Sequence, residues 1–265
     1  MVPAYSWLDK IPGLSELART KGWPYAVSWL HRITGIILLL YVWYHIYTLS
    51  FLRIPDEYDA KMKFFRFFIF VFLEWLLAVP VVFHAFNGGR LILYEIFGSR
   101  NDESMLKWVF GLSIVYVLLS GLFMIMGNQN ASPVFFWLIL LVISVSLGNI
   151  AAAKIRKSGV TLTWKIQRIT GAFLLFMIPA HFLFMHLQPS IGHDSNFVIS
   201  RMQNIFIKIV DLALVFGVLY HGGYGLLSIA KDYIQSRLLQ SCCALLIIAV
   251  STVFGWIGIK LIILI

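Results

Sequence analysis

Charged residues are scarce in this chain. They make up 12% of its 265 residues, against about 25% in soluble domains. That deficit leaves too little polarity for a water-facing surface, so most of the surface must face lipid. Cysteine is nearly absent. Cys242 and Cys243 are adjacent and open an apolar run, and two thiols cannot supply the roughly four ligands of a zinc site or an iron–sulfur cluster. The opening residues, with Pro3, Pro12 and several charges, lack the basic segment and short apolar run of a cleaved leader. Insertion is therefore expected to use the first membrane span itself. The net charge of +9 comes from basic residues that flank apolar runs rather than forming a stripe, which argues against nucleic acid as a partner and for basic loops beside a membrane.

What is present is apolar length. Hydrophobic residues reach 60% and mean hydropathy is +0.85. Seven runs have about the 20 residues needed to cross a hydrocarbon core: 26–50, 66–93, 107–127, 132–152, 166–188, 204–230 and 239–263. The expected fold is an all-α integral membrane bundle of about seven transmembrane helices. Lys10, Arg19 and Lys21 precede the first span, and Lys154, Arg156, Lys157, Lys165 and Arg168 surround the fourth connection. Lys231 and Arg237 mark the sixth. The positive-inside rule places these on the cytoplasmic side of a cell (inner) membrane, with the N-terminus cytoplasmic. The first connection, with Arg53, Lys61, Lys63 and Arg66, runs against this bias.

The sequence repeats itself. Arg32-Ile33-Thr34-Gly35 returns as Arg168-Ile169-Thr170-Gly171, and His45 and His181 each follow thirteen residues after the arginine. His84 and His221 each have an acid ten residues before (Glu74, Asp211), a glycine four after (Gly88, Gly225) and an acid eleven after (Glu95, Asp232). The offset is 136 residues for the first pair of helices and 137 for the second. The pattern divides the chain into a cytoplasmic N-terminal segment (1–25), a first repeat (26–130), a linker helix with a basic loop (131–160) and a second repeat (161–265). The linker restores direction, so that the two repeats run parallel.

Ionisable residues inside a membrane are costly and usually functional. At 1.5 Å per residue, His45 and His181 lie roughly 25 Å up from the cytoplasmic ends of their helices, while His84 and His221 lie roughly 9 and 15 Å from that edge. The four form two layers, each with one histidine from each repeat. Two imidazoles facing across a bundle core suit a six-coordinate haem iron. A single intramembrane histidine is more often a packing residue, and the repeated, depth-matched set is what favours two b haems. Gly88 and Gly225, with Gly35 and Gly171, are expected to admit a flat macrocycle. His31 is expected to make local polar contacts at the interface, and His186 and His193 to be solvated at the rim. His186 competes with His181 as outer ligand, but its match in the first repeat is Ser50. Glu74 and Asp211 lie near the outer layer and are candidates for proton transfer. The alternatives are a rim position near Arg66 for Glu74 and pairing with Lys208 for Asp211.

The stretch Ser28-Trp29-Leu30-His31-Arg32-Ile33-Thr34-Gly35 resembles the opening of the cytochrome b anchor chain of succinate dehydrogenase. His84-Ala85-Phe86-Asn87-Gly88-Gly89-Arg90 resembles that chain's haem-ligand segment. His221-Gly222-Gly223-Tyr224-Gly225, running on to Asp232-Tyr233, resembles the second, smaller anchor. Over almost its full length the chain resembles a fusion of the two small anchors of succinate dehydrogenase or fumarate reductase, of two-haem type. The resemblance implies a flavoprotein subunit that interconverts succinate and fumarate, an iron–sulfur subunit that passes electrons to this chain, and a membrane quinone, menaquinone in preference to ubiquinone. A higher oligomer of the complex is compatible with it. By resemblance, His84 and His221 hold an inner haem, His45 and His181 an outer one, and Ser28, Arg32, Asp232 and Tyr233 surround the quinone. The chain departs from both family patterns in having seven spans and two histidine pairs, which leaves an outer quinone site open.

Two other readings compete. A cytochrome b of a different respiratory enzyme, such as a quinol:cytochrome c reductase, usually places two ligands about fourteen residues apart on each of two helices, whereas here four helices carry one each. A haem-free transporter whose repeat halves rock about a midplane site would use Pro80 and Pro179 as helix breaks, but the histidines lie at two depths.

Overall fold

The computed structural model describes residues 18, 20–99, 101–126, 134–186 and 192–265, with the backbone alone at positions 134, 135 and 184. Most of the expected N-terminal segment and the connection between the third and fourth expected spans lie outside these residues. Helix α1 spans Trp23–Leu49 and continues as a 3₁₀ turn over Ser50–Arg53. Then come α2 (Pro55–Phe65), α3 (Phe68–Leu76), α4 (Ala78–Glu95), α5 (Asp102–Met126), α6 (Val134–Ile155), α7 (Leu162–Met185), α8 (Ser195–Met202), α9 (Ile205–Tyr233) and α10 (Arg237–Leu264). Among the described residues seven spans are long and apolar enough to cross a membrane, with α3 and α4 sharing one. The chain is an all-α integral membrane protein.

Local chemistry explains most boundaries. Pro55 fixes the first turn of α2, where Asp56 and Glu57 favour the helix N-terminus. Thr161, Asp194, Asn204 and Ser236 cap α7, α8, α9 and α10 by accepting backbone N–H bonds. The second span breaks at Leu77 because Pro80, three residues on, has no N–H to give and its ring crowds the preceding turn. Pro179 lies inside α7 without ending it. Tyr116 of α5 donates to the Pro179 carbonyl at 2.5 Å, tying α5 to α7 at that point.

Four helices make a closed ring: α1 packs on α4, α4 on α7, α7 on α9 and α9 on α1. The third helix of each repeat lies outside, α5 against α4 and α10 against α9 and α1. Helix α6, which occurs once, packs along α7. Apolar side chains of the outer surfaces, such as Phe68, Ile125 and Leu245, are widely exposed, as a lipid-facing surface requires. At one end α2 and α8 fold over the ring. Leu52, Tyr58, Met62, Val198 and Met202 form a cluster there with Leu261 and Ile262 of α10, Tyr58 donates to the Gly192 carbonyl, and Asp59 accepts from the Ser195 backbone and hydroxyl.

Candidate functional site

The ring encloses a cavity of about 720 Å³ that reaches from Ser28, Arg32 and Asp232 at one end to Glu74, His193 and Arg201 at the other. Its lining is mostly apolar, interrupted by histidines at two levels, which is the composition expected of a cofactor site.

The first level holds His84 of α4 and His221 of α9, ring centres 6.3 Å apart and planes at 89°. The Nδ1 atom of His84 lies 3.1 Å from the His31 carbonyl and 3.3 Å from the Thr34 hydroxyl. The Nδ1 atom of His221 lies 3.2 Å from the Gln167 carbonyl. Positions 31 and 167 match under the repeat offset, so both imidazoles are held in the same way. A carbonyl partner makes Nδ1 the protonated nitrogen and leaves Nε2 as the metal-binding atom. Thr34 and Thr170 back-bond to carbonyls one turn earlier in their own helices. A Cβ on Gly35 would stand 3.0 Å from the His84 ring, and one on Gly171 3.0 Å from the His221 ring. Each of these two glycines makes room for an imidazole of its own repeat.

The second level holds His45 of α1 and His181 of α7, again 6.3 Å apart, with planes at 84°. Imidazole nitrogens bind metals at about 2.0–2.1 Å, so two rings on opposite sides of one metal have centres about 6 Å apart. Both pairs meet that spacing. The residues therefore fit a bis-histidine haem at each level, and both levels line one cavity.

His186 is a third imidazole at the second level, 5.5 Å from His45 and 5.4 Å from His181 between ring centres, and the ligand nitrogens of all three lie within 4.8 Å of one another. The repeat-matched pair, His45 and His181, reproduces the spacing and angle of the first level, and His186 does not. Instead, Nδ1 of His186 lies 2.7 Å from Glu74 Oε1, and the other carboxylate oxygen of Glu74 lies 4.0 Å from His193 Nε2. Asp211 lines the same end of the cavity and its charge acts on Arg201.

Three histidines depart from expectation. His31 stacks on His84 with ring centres 3.9 Å apart, inside the cavity rather than at the interface. His186 is half-buried, and His193 is only 8% exposed. Helices α2 and α8 roof this end. Burial pushes the His193 pKa below its usual value despite the nearby Glu74 carboxylate. Burial likewise lowers Arg201, with Asp211 and Tyr58 opposing, and raises Tyr58 to about 12, with Asp59 and Glu74 adding to the rise. Start signals for the roof were present at Pro55-Asp56-Glu57 and at Asp194, in stretches that read as polar breaks.

At the opposite end, Arg32 donates to Asp232 at 2.9 Å and to the Tyr233 hydroxyl, while Arg168 donates to Glu95 at 2.6 Å and to Gln167. Ser28, Arg32 and Asp232 all face the cavity, and Trp29 lies against Tyr233. The structure thus brings the four expected quinone-site residues to one mouth of the cavity.

No solved structure matches the chain. The chain is 34% identical over 95 residues to the succinate dehydrogenase 2 membrane subunit SdhC of Mycobacterium tuberculosis (strain ATCC 25618 / H37Rv), an alignment covering 34% of this chain and 69% of that protein. The family model for the succinate dehydrogenase/fumarate reductase transmembrane subunit matches it twice, over residues 17–120 and 149–257. With most of its length covered in two passes, the chain belongs to the family of succinate dehydrogenase/fumarate reductase transmembrane subunits and is a membrane subunit that joins the other subunits of such a complex.

Proposed function

We propose that this chain is the di-haem cytochrome b anchor of a succinate:quinone oxidoreductase, carrying electrons between an iron–sulfur subunit and a membrane quinone, with menaquinone the preferred quinone. The observation that carries this is the pair of repeat-related histidine couples, each 6.3 Å apart with nearly perpendicular rings, along one cavity. A bound haem at each level would supply one-electron transfer. His84 and His221 would hold one and His45 and His181 the other, with the N-terminus on the cytoplasmic side of the inner membrane.

The chain's own residues supply binding and protons at the mouth. The guanidinium of Arg32, held by Asp232 and Tyr233, presents N–H donors to a quinone carbonyl and steadies negative charge on its oxygen. Ser28 and Tyr233 offer hydroxyls. Asp232, half-exposed beside Arg32, hands on the two protons that accompany the two electrons of quinone reduction. Glu74 and Asp211, at the far end, are the second candidate place for proton exchange. The test of the assignment is ligand removal in the purified complex. His84→Ala and His45→Ala each remove one haem, with different losses in the reduced-minus-oxidised spectrum. Two variants with an unchanged spectrum would refute the ligand assignment.

A further inference from the structure

The arginine end of the cavity has two mouths, alike in ionic chemistry and unlike in cover. Arg32 of α1 pairs with Asp232 of α9, and Arg168 of α7 pairs with Glu95 of α4. The repeat offsets relate one pair to the other, so each repeat's arginine is neutralised by the other repeat's acid. Each guanidinium also lies over a ring, Arg32 5.4 Å from Tyr233 and Arg168 5.0 Å from Trp164. Both pairs line one cavity.

The same offsets expose the difference. Ser28 matches Trp164, and Tyr233 matches Ile96. Where the first mouth has two hydroxyls, the second has an indole and an alkyl group. The second mouth is also more covered, its Arg168 and Glu95 side chains being 23% and 29% exposed against 33% and 48% for Arg32 and Asp232. Ala151 and Ile155, in the last turns of α6, form one apolar cluster with Ile96, Trp164 and Ile169. Helix α6 has no repeat partner, because it is the linker. Ile33, the match of Ile169, is accordingly 45% exposed, and Tyr233 is 48% exposed where Ile96 is 7%. A quinone with an apolar tail comes from the lipid sideways, and needs an open flank and donors for its carbonyl oxygens.

We infer that α6, with Trp164 and Ile96, closes the Arg168 mouth to quinone, so that the duplicated chain binds quinone only at the Arg32 mouth. This rests on the quinone site proposed above. It also gives the odd helix a task beyond restoring chain direction: it breaks the symmetry that duplication would otherwise give the two mouths.

The test uses the whole purified complex in lipid nanodiscs and a photoreactive azido-naphthoquinone, with peptide mapping of the adducts and excess menaquinone as competitor. The expected result is about one competable adduct per chain, within residues 25–36 or 224–236, and none within 92–98 or 151–170. The double variant Trp164→Ser/Ile155→Ala opens the second mouth. It is expected to add adducts within 151–170 and bring the total toward two, while the adduct at the first mouth remains and shows that the variant is folded. Equal labelling of both mouths in the unaltered chain overturns the inference and leaves the quinone site standing. A folded double variant with no new adduct overturns it too. Absence of competable label at the Arg32 mouth overturns the quinone site itself. If the double variant does not assemble, the adduct distribution of the unaltered chain decides alone.

Discussion

Gly35 and Gly171 are two residues on which the first histidine level depends. Each has a ring carbon of the facing imidazole where a methyl group would come within 3.0 Å, closer than most real contacts, and the imidazoles are fixed from behind by carbonyls. They cannot retreat without breaking those bonds. Gly35→Val is therefore expected to cost about 1–3 kcal/mol of local overpacking and to displace His84. The reading is a shifted midpoint potential, or loss, of one haem in a redox titration, with the other unchanged. Glu74 makes a different claim. Glu74→Gln keeps a partner for His186 but cannot accept a proton, so turnover at the far end should fall while both haem spectra stay as they are. Unchanged quinone-linked turnover and unchanged coupling to membrane potential would remove Glu74 from proton transfer. At this scale the sequence was legible where the repeat spoke twice: His45, His84, His181 and His221 stand in the two levels their spacing requires. His31 and His186 each lack a histidine at the matching position, Gln167 and Ser50 respectively, so periodicity said nothing about which way they point.

The elements divide by how strongly their surroundings constrain them. A lipid-crossing helix has few alternatives, since every backbone group must be paired within it, and all seven spans were readable from apolar length. The short helices α2 and α8 were not, because they are amphipathic roofs whose purpose appears only when the ring beneath them exists. Their covering has a pH signature. His193 is buried beneath the roof with its pKa lowered from 6.5, so below that pH the unfolded or opened state binds the proton more readily than the closed one. Stability conferred by burying neutral His193 is fully present above about 6.5, the value of the free side chain, and is lost as pH falls from there toward the lowered folded value. After correction for the intrinsic, base-catalysed exchange rate, which itself falls with pH, protection in 192–202 should drop between pH 7 and 5 more than in the centre of α4, and His193→Gln should flatten that difference. Protection that holds or rises on acidification would contradict the assignment.

For the molecule as a whole, two repeats enclose one cavity, and their arginine–acid pairs are exchanged across it. Each pair joins a helix of one repeat to a helix of the other, so the ring is closed by polar contacts at the arginine end as well as by packing along its length. Bundle class was visible before any coordinates, because membrane spans leave long-range marks in sequence. The unequal cover of the two mouths was not, since it arises from how α6 lies on α7, a packing relation with no periodic signal. The central claim is that the two histidine levels hold two haems. The most direct measurement is a pyridine haemochrome assay with haem-to-chain stoichiometry on the purified complex. The account predicts two b haems per chain. A folded, intact complex with no haem, prepared under conditions that retain it, would contradict the claim, and one haem per chain would contradict it for one of the two levels.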